Sequence, residues 1–143
     1  MSAARRPRDL AHLLSTLERH VVGRQRAVLA VEGATVEEWR VLDFLADGGH
    51  IMSEVAEHVG LPSPTLTKIV DRLVANNVVY RRIDLEDRRK VRIFLAARGR
   101  SLHRRLAVIV AQSQENLADE QSLELLLEHL EAEIVPRETV SGG

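Results

Sequence analysis

From Leu10 onward the apolar positions fall at Leu10, Leu13, Leu14, Leu17, Val21 and Val28. Steps of three and four predict an amphipathic helix over about residues 8–31, closed by Gly33. Thr35 precedes Glu38 by three residues, the spacing of a capping box. It starts a second helix whose buried face holds Trp39, Val41 or Leu42, and Leu45, and which ends at Asp47-Gly48-Gly49. Ser53 is the expected N-cap of a short third helix that carries Val55, Ala56 and Val59 and stops at Gly60. Glu54 sits near its positive end. Ser63 followed by Pro64 predicts the start of a fourth helix, with Ser63 capping free N–H groups and Pro64 at the first helical position. That helix runs to about Asn76 with Leu66, Ile69, Val70 and Leu73 facing inward. Asn77 follows, a residue type that accepts the left-handed conformation ending a helix.

The pattern then changes. Two short β-type runs, Val78 to Ile83 and Val91 to Leu95, flank the charged segment 84–90, which reads as a hairpin tip. A fifth helix is expected over Ser101 to Leu117, with Leu102, Leu106, Ile109, Val110 and Leu117. A sixth is expected over Ser122 to Val135, with Leu123, Leu126, Leu127, Leu130 and Ile134, before a frayed tail from Pro136. Both are too apolar for lone surface helices of so small a body. With the first helix they predict an extra apolar seam, most simply a dimer interface.

Within this order, Glu54 to Leu73 has helix-turn-helix spacing. Ala56 is small where two helices cross, Gly60 four residues later permits the tight turn, and Leu66 and Ile69 lock the second helix on the first. The basic hairpin follows directly. The predicted fold is therefore mainly α with a small β-hairpin wing. A winged helix-turn-helix lobe covers residues 35–97, and residues 1–34 and 98–143 form a helical dimerisation region.

Charge sharpens this picture. The net charge is −1 over 143 residues, but residues 61–105 hold twelve Lys and Arg against four Asp and Glu. A basic centre in a neutral chain suggests one polyanion-binding face. A helix lying in the major groove would turn Ser63, Thr65, Thr67, Lys68 and Arg72 outward, hydroxyls to base edges or phosphates and cations to phosphates. The hairpin would act as a wing with Arg88, Arg89 and Lys90 entering a minor groove, and Asp87 orienting one of these arginines or Arg72.

These residues resemble a known family. Residues 35–42 (Thr-Val-Glu-Glu-Trp-Arg-Val-Leu), the run from Leu61 through Arg81, and Asp84-x-x-Asp87-Arg88-Arg89 are similar to the multiple-antibiotic-resistance regulator (MarR) family. The resemblance covers about residues 8–135, and its most specific part is the acidic-then-basic wing. It implies an obligate homodimer on a pseudopalindromic operator in double-stranded DNA, with the first, fifth and sixth helices at the dimer interface. It also implies regulation, usually repression, relieved by a small ligand held between the dimer core and the DNA-binding lobe. Thr65, Thr67, Lys68, Arg72, Asp87, Arg88 and Arg89 match motif positions and take DNA-binding roles by this resemblance. Two departures stand out. Asn77 replaces the usual glycine, and Leu95-Ala96-Ala97-Arg98-Gly99 replaces Leu-Thr-x-x-Gly. Loss of that hydroxyl predicts a late or frayed start for the fifth helix.

Other classes fare less well. No Ser/His/Asp ordering, phosphate loop or His-Glu-x-x-His pattern points to an enzyme, and no cofactor is expected. With no cysteine, disulfides, thiol redox sensing and thiolate metal sites are excluded, which suits a cytoplasmic protein. No apolar run approaches the roughly 20 residues of a membrane span, and no apolar signal core follows Arg5, Arg6 and Arg8. The four aromatic residues, Trp39, Phe44, Tyr80 and Phe94, are too few for a single-strand stacking platform. A metal-responsive regulator is an alternative, with His12, His20 and His103 as ligands and Glu18 and Glu115 within reach. An anionic effector would need an arginine, for which Arg19, Arg24 and Arg40 are candidates. A winged helix that binds protein rather than DNA is a third reading.

Overall fold

The computed structural model describes residues 9–115 and, beyond them, 123, 125, 127–130 and 132. The chain falls into two compact units, residues 1–113 and 114–143. In the first unit, helix α1 spans Leu10–Val31, with the Asp9 carboxylate accepting from the His12 N–H at 3.2 Å. Gly33 ends it at a φ of +71°, where a side chain would be strained. Helix α2 (Val36–Phe44) starts as its spacing predicts: Thr35 Oγ1 accepts from the Glu38 N–H at 3.1 Å. Replacing Thr35 by alanine orphans that N–H and should cost about 1 kcal/mol, read as a lower thermal midpoint.

A 3-10 turn (Leu45–Asp47) leads into strand β1, His50–Ile51, which the sequence pattern does not reveal. Two residues are too few to show a period. Helix α3 (Met52–Val59) follows at once. Its N-cap is Ile51 with no side-chain cap bond, so Ser53, expected as the cap, lies within the first turn. Pairing of β1 brings the chain into the helix two residues earlier than the serine suggests. Gly60 closes α3 in the left-handed conformation at φ 72°, and its N–H returns to the Ala56 carbonyl at 2.9 Å. Helix α4 spans Ser63–Ala75. Here too the expected cap is displaced: Pro62 occupies the N-cap and its carbonyl accepts from the Leu66 N–H, while Ser63 is the first helical residue. Proline needs no donor there and fixes the entry angle without a side-chain bond. Asn77 does adopt the left-handed conformation, with φ 58°.

Strands β2 (Val79–Ile83) and β3 (Val91–Leu95) form the expected antiparallel hairpin, with Tyr80 opposite Phe94 and Ile83 opposite Val91. Strand β1 adds to the other edge of β3, giving the order β1-β3-β2. Helix α5 spans Ala97–Gln114, so the predicted late start at Ser101 is wrong. Tertiary contacts replace the missing hydroxyl cap. The Ala96 N–H donates to the Val78 carbonyl at 3.0 Å, and the Arg100 guanidinium donates to the Leu95 carbonyl at 3.1 Å.

One core joins these elements. Leu29 of α1, Val41 and Leu42 of α2, Val55 of α3, Leu66 and Val70 of α4, Ile93 of β3 and Leu106 of α5 are all fully buried. Removing each such side chain from water contributes about 1.5–3 kcal/mol. By contrast, Leu10, Leu13 and Leu14 of α1 and Val108 of α5 are exposed. In the second unit the described residues from 123 to 132 are helical, with Leu123, Leu125 and Leu127 exposed. The rest of the expected sixth helix, Leu117, the tail from Pro136 and the Arg5, Arg6 and Arg8 cluster lie outside the described residues. No described helix is long and apolar enough to cross a membrane.

Candidate nucleic-acid interface

Burial of Leu66, Ile69, Val70 and Leu73 fixes which side of α4 faces out. The structure exposes Ser63, Thr65, Thr67, Lys68 and Arg72, as the period predicts. The Thr67 hydroxyl donates back to the Ser63 carbonyl at 2.9 Å, so toward a ligand it offers lone pairs and a methyl group. Arg72 is not free. Its guanidinium meets the Glu38 carboxylate of α2 at 2.7 Å, with Arg72 56% and Glu38 only 14% exposed. Glu38 thus does not close the capping box; its side chain is turned to α4 instead. Asp71 pairs with Arg81 and ties α4 to β2.

The wing is a braced hairpin. The Asp84 N–H donates to the Lys90 carbonyl and the Lys90 N–H to the Asp87 carbonyl, both at 2.9 Å. Asp87 holds Arg89 rather than Arg72. The Arg89 backbone N–H and Nε both donate to Oδ1 at 3.1 Å, and Nη2 donates to Oδ2 at 3.2 Å. These bonds, with Lys90 nearby, lower the Asp87 pKa below its ordinary 3.8. A depressed carboxyl pKa means the clamp is complete above the usual carboxylate range and opens only as pH falls through the lowered value. Arg88, Arg89 and Lys90 are all exposed at the tip.

Sequence reasoning missed three supporting residues. Arg92 donates to the Gly49 carbonyl at 2.8 Å and sits 3.5 Å from Asp84, joining β3 to the segment before β1. Arg82 lies 5.7 Å from the centroid of Tyr80 and 5.9 Å from that of Phe94, two rings that stack on each other. Glu38 is the third. The period-two placement of Arg82 and Arg92 among aromatics was a readable signal; the Glu38–Arg72 pairing had none.

The other candidates are more dispersed. His12, His20 and His103 do not gather, and among the described residues no three His, Cys, Asp or Glu side chains could hold a metal. His103 instead bonds Asp43 at 2.9 Å and stacks on Trp39 at 5.4 Å. Arg19 bonds Thr16 at 3.3 Å and, with Glu18, Val22 and Arg26, lines a shallow recess of about 370 Å³ on α1. Arg24 and Arg40 line neither this recess nor a groove of about 340 Å³ formed by Val28, Val31, Glu32, Ile109, Gln112 and Ser113.

Comparison with known proteins places this geometry. Residues 32–90 match the model of the MarR family. The HTH-type transcriptional regulator TtmR of Methylorubrum extorquens is 38% identical over 85 residues, 58% of this chain and 44% of that protein. The chain therefore spans less than half the length of this curated relative. Among solved structures, NadR in complex with 4-hydroxyphenylacetate superposes with a TM-score of 0.74 at 25% identity, over 96% of this chain and 99% of NadR. A mutant MarR from E. coli complexed with operator DNA superposes with a TM-score of 0.73 at 19% identity, over 88% and 94% of the two chains. At that identity the second likeness speaks to the fold alone. The relative TtmR is a transcriptional regulator, not an enzyme. The match to the MarR family model spans residues 32–90, which hold the helix-turn-helix and the wing up to its basic tip.

Proposed function

We propose that the protein is a homodimeric, sequence-specific DNA-binding transcriptional regulator, a repressor released by a small ligand. The observation that carries this reading is the pairing of an exposed polar face on α4 with a braced basic wing tip. Helix α4 enters the major groove, where Ser63, Thr65, Thr67, Lys68 and Arg72 meet bases and phosphates. Arg88, Arg89 and Lys90 follow the backbone into the adjacent minor groove, with Asp87 fixing Arg89. Residues 1–34 and 98–143 form the dimer region, and the exposed leucines of α1 are the apolar surface that a second copy covers. Two α4 helices then stand about 34 Å apart, one DNA turn, in successive major grooves. A ligand that binds a differently spaced dimer more tightly shifts the population off DNA. The likeness to NadR, whose complex holds an aromatic acid, supports a small organic effector.

The test is selection of bound duplexes from a random DNA pool at near-physiological salt. An enriched inverted repeat with half-sites one turn apart is the expected result. No enrichment by folded, dimeric protein overturns the reading.

A further inference from the structure

Two apolar side chains on the wing remain outside the core. Leu85 is 94% exposed and Ile83 62% exposed. Isolated exposed leucines are ordinary on protein surfaces. These two differ in where they stand. Ile83 lies on the same strand face as Val79, which is buried, and Arg81, which reaches Asp71 of α4. Leu85 continues that spacing past the end of the strand, onto the tip. The tip itself is tied at four places: Asp84 to Lys90, Lys90 to Asp87, Asp87 to Arg89, and Asp84 to Arg92. The bracing holds the backbone on both sides of Leu85 while nothing covers its side chain.

The surroundings select one partner. Residues 81–92 contain six Lys and Arg against three Asp and Glu. Two of those acids, Asp84 and Asp87, are neutralised by Arg92 and Arg89. Glu86 alone of the three carries no arginine among the described residues. A protruding apolar side chain on a rigid, net-basic hairpin fits a narrow, negatively charged groove floored by flat apolar surfaces. The minor groove is such a surface once a base step opens.

Resting on the DNA-binding reading above, we propose that Leu85, backed by Ile83, is a wedge that enters the minor groove beside Arg88 and Arg89 and unstacks one base step per half-site. The arginines supply sequence-independent attraction; the leucine adds selection for steps that open readily. Pyrimidine–purine steps in the flanks of each half-site are therefore preferred over stiff A-tracts.

Leu85→Ala tests this cleanly, because so exposed a side chain contributes nothing to the core. The full chain is titrated with its selected duplex, carrying 2-aminopurine in turn at each flanking step. Wild-type protein should raise the fluorescence at one step in each half-site. Leu85→Ala should abolish that rise and weaken binding about tenfold or more, the scale of one leucine leaving water, with the salt slope unchanged. Leu85→Met should restore both. Wild-type affinity and fluorescence in Leu85→Ala overturn the wedge while leaving DNA binding intact, as does wild-type binding without any unstacking. A loss of affinity with a changed salt slope also overturns it, since that marks disturbed phosphate contacts. A wild-type protein that selects no duplex removes the DNA-binding reading and the wedge together.

Discussion

Alanine at both Arg88 and Arg89 should weaken operator binding at least about a hundredfold and flatten its salt dependence, with no change in thermal unfolding. Arg88 is exposed, and Arg89 is 91% exposed and among the described residues bonds within the wing tip, so neither arginine supports the core. Each arginine hydrogen-bonded to a charged phosphate is worth about 1.5–3 kcal/mol, and a dimer would present four. Each phosphate neutralised contributes about 0.9 to the slope of log affinity against log salt. The double variant should therefore lose a slope of about three to four per dimer. Arg89→Ala alone should lose roughly half as much. Asp87→Ala should fall between it and the wild type, because Arg89 keeps its charge and loses its clamp. Filter binding or fluorescence anisotropy across a salt series reads all three. Wild-type affinity and slope in the double variant remove the wing from the interface.

Gly99→Ala should destabilise the fold by about 2 kcal/mol or more, although alanine is the better helix former. Gly99 lies in the first turn of α5, and a Cβ there would stand 2.0 Å from the Val78 carbonyl oxygen and 3.3 Å from Leu95 Cδ2. The carbonyl cannot simply withdraw. It already accepts from the Ala96 N–H, the bond that brings the chain from β3 into α5. The propensity gain of about 1 kcal/mol is thus opposed by displacement of a backbone that two elements share. Thermal and denaturant unfolding should both show the loss. Stability equal to or above wild type would mean that α5 does not approach β2 so closely.

Much of the fold is legible because it is local. Leu66, Ile69, Val70 and Leu73 recur at helical spacing, so their burial and the exposure of Thr65, Lys68 and Arg72 are two sides of one pattern. Thr35 caps a helix whose free N–H lies three residues on, and Asn77 ends α4 through its own backbone tolerance. The hairpin register follows from two apolar runs and a charged tip between them. Apolar periodicity and capping chemistry act over three or four residues, and the chain carries that information directly.

Where the partner is distant along the chain, the pattern is silent or misleads. Ser53 and Ser63 look like caps, yet β1 pairing and Pro62 set those helix starts. Ala96 lacks the hydroxyl expected to start α5, yet the helix starts on time because Val78 and Arg100 hold its first turn. Glu38 reads as half of a capping box but spends its carboxylate on Arg72. Asp87 could have served either arginine, and the two-residue reach within the tip decided for Arg89. The order of helices and the faces they bury are written in spacing along the chain. Which carboxylate meets which arginine, and how near one backbone lies to another, depend on approach in space, which only packing of the whole core brings about.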